Sequence, residues 1–165
     1  MKETIFLNEE LESLFFSGDP FVAAEEIKGE VFRKTANRIT KEFTFKGNKY
    51  FIKLHYEVGW KEIIKNLLKL RVPTIGAFPE WRALKKLKSL GIDCPEPVGF
   101  YSKGTNPARL KSFLVTKSLM DTISLEEALQ KGKFQELDFP VKKRFIEKVA
   151  LISRNLHKNG INHRD

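Results

Sequence analysis

The stretch from residue 41 to residue 55 constrains the fold of this chain most, because it has the pattern of two strands joined by a tight turn. Polar and apolar residues alternate on both sides of Lys46–Lys49, and this segment contains Gly47, which favours the backbone of a hairpin turn. Alternation divides the return strand between two faces of a sheet: Tyr50, Ile52 and Leu54 on one, and Phe51, Lys53 and His55 on the other.

The other segments alternate between strand and helix patterns without the repeating strand–helix–strand order of a doubly wound fold. Residues 1–20 have the pattern of a short leader that ends at the break Ser17–Pro20. The predicted strands are Glu30–Arg33, Val98–Tyr101 and Ser112–Thr116, and the predicted helices are Lys61–Arg71, Glu80–Leu90, a short helix from Ser124 to Gly132 and a long helix from Asp138 to Asn159. The order predicts an α+β fold.

Composition and charge exclude several classes of protein. The single cysteine, Cys94, cannot form an intramolecular disulfide, and no apolar run approaches the roughly 18 residues that span a bilayer. The acidic N-terminus does not resemble a secretory signal, so we expect a soluble, cytoplasmic protein. The net charge is +9, and residues 31–90 carry 15 basic and 4 acidic side chains. Such a field attracts polyanions: nucleic acid, anionic lipid, nucleotide phosphates or an acidic protein.

Three features occur in an order that suits phosphoryl transfer. Lys53 lies in a predicted strand, Glu80 lies in the first turn of a predicted helix, and His163-Arg164-Asp165 follows the long helix. Such chemistry needs a lysine to neutralise phosphates, a carboxylate to hold that lysine, and an aspartate to accept the proton of the attacking hydroxyl. The order resembles the signature set of the protein kinases.

Longer stretches of the chain carry a more specific pattern. They are Gly29–Arg33, Tyr50–Lys53, Lys61–Leu68, Gly76–Ala77 with Glu80–Trp81, and Gly160–Asp165. The most specific parts are the Lys-Glu-Ile-Ile-Lys-Asn-Leu-Leu block and the Gly-Ile-Asn-His-Arg-Asp block. In these stretches the chain resembles the lipopolysaccharide core heptose(I) kinase family, and the resemblance runs from about Gly29 to the last residue.

The resemblance implies a protein-kinase-like fold, with a β-rich N-lobe and hinge over residues 21–119 and the start of a helical C-lobe over residues 120–165. It implies that Lys53 holds the phosphates as a catalytic residue, that Glu80 pairs with Lys53, and that Asp165 is the general base. His163 and Arg164 would shape the catalytic loop. The other residues that it assigns to nucleotide binding are Gly29, Thr116 and Ser118.

The resemblance also implies the reaction and its setting. The family uses ATP and Mg²⁺ to phosphorylate the 4-hydroxyl of heptose I in the lipopolysaccharide inner core, at the inner face of the inner membrane of a Gram-negative bacterium. The partners that follow are the inner-core acceptor, the anionic membrane surface and an acidic acyl carrier protein. The family's metal ligands would lie beyond Asp165. We therefore expect this chain to contain only part of the C-lobe and to lack catalytic activity.

Two other functions stay open at this point. One is a kinase-like phosphotransferase for another sugar or small molecule. The other is a basic nucleic-acid-binding module without enzymatic activity. The sequence has neither zinc-ligand spacing nor an RNA-binding aromatic signature, so no nucleic-acid partner is expected.

The predicted helix Lys61–Arg71 has two interpretations of its own. Lys61, Lys65 and Lys69 recur every four residues and form one face. An ordinary amphipathic helix on the N-lobe is the simpler interpretation. The alternative is contact with anionic lipid or with an acidic carrier protein.

Overall fold

The structure is a computed structural model that describes residues 3–16, 18–119 and 122–161. It has two compact units, of which the first ends at Ser118 and the second begins at Leu119. The elements of the first unit are β1 (Glu3–Leu7), α1 (Glu9–Phe15), α2 (Pro20–Glu26), β2 (Glu30–Thr35), β3 (Arg38–Phe45), β4 (Asn48–His55), α3 (Trp60–Leu68), α4 (Phe78–Ser89), β5 (Pro97–Lys103), a 3₁₀ turn (Pro107–Arg109) and β6 (Lys111–Lys117). The second unit contains α5 (Leu125–Gln130) and α6 (Phe139–Lys158).

The six strands form one antiparallel sheet in the order β1-β5-β6-β4-β3-β2. The hairpin predicted around Gly47 is confirmed, since β3 and β4 pair from Arg38↔His55 to Phe45↔Asn48. Lys46 and Gly47 form its turn with φ of 46° and 81°. Two successive positive φ values match the right-handed twist of the flanking strands.

The apolar face of the sheet is covered by α1 and α2. Tyr50, Ile52 and Leu54 are fully buried there, as the alternation predicts. Leu11 and Phe15 of α1 belong to the same core, and Phe15 stacks on Phe113 with ring centroids 4.8 Å apart. The sequence pattern treats residues 1–20 as a leader, whereas in the structure residues 3–15 supply an edge strand, paired with β5, and part of the core.

The opposite face of the sheet carries α4. A smaller cluster joins the helix to the sheet, and its members are Ala77, Leu84, Phe100 and Leu114. Trp81 of α4 stacks on Phe100 of β5 with ring centroids 4.8 Å apart. This contact fixes the helix against β5, and it leaves the strands on the β2 side of the same face uncovered by α4.

The second unit is helical, as its sequence predicts. Ser124 caps α5, because its side chain accepts a hydrogen bond from the Glu127 backbone N–H at 3.0 Å. The long helix α6 begins at Phe139, directly after Asp138. Neither of these helices, both within the described residues, buries a residue. Among the residues that the structure describes, no helix is long and apolar enough to cross a membrane.

Candidate active site

An ion pair between β4 and α4 is the centre of the candidate site. The Lys53 Nζ donates a hydrogen bond to the Glu80 Oε1. Both side chains are about one-third exposed, at 33% and 34%. The structure therefore brings together two residues that are 27 positions apart in the chain. The pair is shielded enough to be held in place and open enough to meet a ligand.

The position of Glu80 depends on how α4 begins. The Ala77 N–H donates to the buried Ser112 Oγ at 2.9 Å, which ties the first turn of the helix to β6. Gly76 precedes it with φ of 67°, and a Cβ at this position would lie 2.4 Å from Leu110 Cδ2. Only a glycine gives this backbone both the conformation and the space that it needs.

Next to Lys53, two aromatic rings lie on the same face of the sheet. Phe51 precedes Lys53 by two residues on β4, and Phe32 of β2 packs edge-on against it with ring centroids 5.1 Å apart. Phe32 is 61% exposed. The sequence does not predict a role for Phe32, because a shift of register between Val31 and Arg33 breaks the alternation from which the face of its side chain could be inferred.

Thr116 lies near the end of β6, and Ser118 lies directly after that strand, at the end of the first unit. Thr116 pairs with Phe51 across the sheet, so its side chain lies on the same face as that ring. The Ser118 N–H donates to the Lys49 carbonyl at 2.9 Å. The group that Ser118 can offer to a ligand is therefore its carbonyl or its hydroxyl.

Gly29 lies just before β2, at the opposite end of the β2–β3 hairpin from its turn at residues 36–37. A Cβ at Gly29 would lie 2.1 Å from the Glu42 carbonyl oxygen. The close approach of the two strands gives a packing reason for a glycine here, independent of any ligand.

His55 is a buried titratable group beside the ion pair, two residues after Lys53 on the same face. It is 5% exposed, and its Nε2 has no hydrogen-bond partner among the described residues. The pKa of His55 is lowered to about 4, mainly because the ring is buried; the nearby Glu80 carboxylate opposes this shift, and the charges of Arg38 and Lys53 add to it. His55 is therefore neutral at pH 7 and adds no charge beside Lys53.

The predicted residues His163, Arg164 and Asp165 lie outside the residues that the structure describes. Within the described ranges 3–16, 18–119 and 122–161, no group of three or more His, Cys, Asp or Glu side chains could hold a metal ion.

This chain is similar to known proteins in both sequence and structure. The family model described as "Lipopolysaccharide kinase (Kdo/WaaP) family" matches residues 22–165. The chain belongs to this family. The lipopolysaccharide core heptose(I) kinase WaaP of Escherichia coli K12 is 42% identical over 159 residues, which cover 96% of this chain and 60% of that protein. WaaP of Pseudomonas aeruginosa is 36% identical over 161 residues, which cover 98% of this chain and 60% of that protein.

A solved structure, WaaP in complex with acyl carrier protein, has the same fold. It matches with a TM-score of 0.69 and 29% identity, over 89% of this chain and 54% of that chain. The predicted resemblance to the heptose(I) kinases and the kinase-like α+β fold are therefore confirmed. The chain spans about 60% of the length of the curated relatives that it matches.

Proposed function

We propose that this chain forms the nucleotide-binding part of a lipopolysaccharide core heptose(I) kinase, which transfers the γ-phosphoryl group of ATP to the 4-hydroxyl of heptose I in the inner core. The observation that carries the proposal is the Lys53–Glu80 ion pair, on the face of the sheet that carries α4. Kinase relatives at 36–42% identity support it.

In this proposal, Lys53 binds the α- and β-phosphates of ATP. Glu80 holds the ammonium group in one position, so little side-chain freedom is lost when the phosphates bind. Phe51 and Phe32 offer apolar surface to the adenine ring, and the Thr116 side chain lies on the same face as Phe51. Ser118 contributes its carbonyl or hydroxyl at the hinge.

Asp165 would accept the proton of the heptose 4-hydroxyl as that oxygen forms a bond to the γ-phosphorus and the bond to ADP breaks. His163 and Arg164 would shape the loop that presents Asp165, and Gly29 would bring the β2 backbone close to the nucleotide. Mg²⁺ neutralises charge on the β- and γ-phosphates in this chemistry. We assign Mg²⁺ no ligand in this chain.

The setting of the enzyme follows from the same proposal. We place it in the cytoplasm, at the inner face of the inner membrane, where the inner-core acceptor is presented. An acyl carrier protein is a proposed partner, since the solved relative is a complex of WaaP with acyl carrier protein.

A phosphotransferase acting on another small molecule is the second candidate for the function. The family membership disfavours a nucleic-acid-binding module.

Nucleotide binding tests the role of Lys53 directly. We expect Lys53→Gln to weaken binding of a non-hydrolysable ATP analogue at least about tenfold, because a charge-assisted contact to phosphate is lost. Glu80→Gln should have a smaller effect in the same direction. The measurement is isothermal titration calorimetry, and thermal unfolding of each variant checks that it is folded. Lys46→Gln, in the exposed hairpin turn, is the matched control. Equal affinities for Lys53→Gln and Lys46→Gln would contradict the assignment.

Transfer from labelled ATP to inner-core lipopolysaccharide that lacks the heptose I phosphate tests the reaction. We expect the 165-residue chain to bind nucleotide without turnover. Turnover that Asp165→Ala abolishes would overturn this expectation of inactivity and support Asp165 as the base. Turnover on another sugar alone would favour the second candidate.

A further inference from the structure

We propose that Trp60–Val72, which comprises α3 and the turn after it, is a docking surface for an anionic lipid bilayer. We call it the α3 docking segment. The inference rests on the proposed function only insofar as a lipopolysaccharide acceptor lies in a membrane. The evidence for the docking surface itself is the exposure of its apolar side chains, the charge of its basic residues and the backbone conformation of the turn.

The apolar side of α3 faces away from the protein. Of its apolar residues only Ile63 is buried, at 4% exposure. At about 100° per residue, the others share one sector of roughly 100° on the outer side of the helix: Trp60, Ile64, Leu67 and Leu68. Each of these four side chains is more than half exposed, and Leu68 is 81% exposed. A helix of a soluble domain normally turns such a sector inward.

The turn after α3 extends this apolar surface. Leu70 is 96% exposed and Val72 is 66% exposed. Leu70 also has φ of 54°, a conformation that is unfavourable for a leucine. The turn is held by hydrogen bonds from the Leu70 N–H to the Leu67 carbonyl and from the Arg71 N–H to the Asn66 carbonyl, both at 2.9 Å. The fold therefore fixes a strained backbone that presents a leucine side chain almost wholly to solvent.

Basic residues border the apolar sector. Lys61 and Lys65 lie along one side of it, and Lys69 and Arg71 alternate with Leu70 and Val72 in the turn. The one acidic residue of the segment, Glu62, is engaged by Lys65 Nζ at 3.2 Å and by Asn66 Nδ2 at 3.1 Å. An apolar sector bordered by cations is the pattern of helices that lie in the interface of an anionic membrane.

The arrangement favours a lipid surface over an acidic soluble protein. An acidic protein would pair with the cations, but the exposed apolar side chains, including Leu68 and Leu70, would need a matching apolar groove. A bilayer accepts both groups at once, because its acyl region takes the apolar side chains while its headgroups pair with the lysines.

The test is co-sedimentation of the 165-residue chain with vesicles, in the absence of nucleotide. Vesicles of equal parts phosphatidylcholine and phosphatidylglycerol should bind the chain, and pure phosphatidylcholine vesicles should bind it much more weakly. Trp60 provides a direct reading, since its fluorescence should shift to shorter wavelength on insertion. Because the chain has two tryptophans, the Trp60→Phe variant shows how much of the fluorescence signal comes from Trp81.

Two variants separate the apolar and the charged contributions. Leu68→Ser with Leu70→Ser should weaken binding to the anionic vesicles more than about tenfold, because both side chains lose their apolar contact with lipid. Lys61→Gln with Lys65→Gln should weaken it by about tenfold and reduce the dependence on phosphatidylglycerol. Matched controls are Val22→Ser, an exposed apolar residue of α2, and Arg82→Gln with Lys86→Gln, which have the same spacing on α4.

Each other result counts against the proposal. Unchanged vesicle binding in the leucine variant, with loss only in the lysine variant, would mean general electrostatic attraction. Failure to bind anionic vesicles, together with binding of purified acyl carrier protein that the lysine variant abolishes, would assign the surface to that protein. Nucleotide affinity is measured on the same samples, so a failure of the nucleotide proposal is seen separately from a failure of lipid docking.

Discussion

Helix α1 of the first unit and helix α6 of the second both carry apolar residues at helical spacing but differ in what they bury. In α1, seven residues long, Leu11 and Phe15 are fully buried against the sheet. In α6, 20 residues long, no residue is buried, and Phe145 is 40% exposed. The comparison shows that periodicity is sufficient to predict a helix, whereas burial requires a partner surface.

The largest expected difference between the units concerns their phenylalanines. Phe113 is fully buried and stacked between Phe15 and Tyr101, at centroid distances of 4.8 Å and 5.4 Å. Phe113→Ala should cost about 3–5 kcal/mol of unfolding free energy, because it leaves a cavity in the core. Phe145→Ala, in the second unit, should cost less than about 1 kcal/mol. Urea unfolding followed by circular dichroism measures both, and equal costs would remove the contrast between the units.

A pH effect of intermediate size should arise at His55, in the first unit. His55 is neutral in the folded state, with its pKa lowered by burial to about 4, while the unfolded chain takes up a proton near pH 6.5. Stability is therefore complete above about pH 6.5 and falls as the pH drops toward 4, by up to about 1.4 kcal/mol per pH unit.

Urea unfolding at several pH values between 7 and 5 measures this slope. His55→Gln should flatten it, and His157→Gln, on the exposed surface of α6, should leave it unchanged. A slope that persists in His55→Gln would mean that other groups are responsible.

The smallest expected effect concerns helix caps. Asn8 accepts a hydrogen bond from the Glu10 N–H at 3.0 Å, and Ser124 accepts one from the Glu127 N–H at 3.0 Å. Either residue changed to Ala should cost about 1 kcal/mol. For Asn8→Ala we expect a lower midpoint of urea unfolding, because α1 is part of the core. For Ser124→Ala we expect a small loss of helical signal with an unchanged midpoint. A shift of the midpoint in both variants would mean that the two units unfold together.

Much of the fold could be predicted from local patterns. The hairpin around Gly47, the helix cap at Ser124 and the start of α6 after Asp138 all depend on neighbours in sequence, so the residues themselves specify them. The strand β1 could not be predicted in this way, because its pairing with β5 joins residues that are far apart in the chain, such as Glu3 and Lys103.

The residues of the candidate site also differ in whether the sequence predicted them. Lys53 and Glu80 were found from the order of residue types and the family resemblance. Phe32 was missed, because a register shift in β2 determines which way its ring points. The roles of Asp165, His163 and Arg164 stay predictions, since these residues lie outside the described part of the chain.

The sequence by itself determined the type of the helices and strands from β2 to α6, the α+β class and the family, because alternation, helical periodicity, capping residues and motif order are all properties of neighbouring residues. Only the tertiary structure decided that His55 is buried beside the Lys53–Glu80 pair and that the apolar side of α3 remains outside. Such facts depend on which distant surfaces meet, and the energy of burial is set by that partner surface rather than by the pattern along the chain.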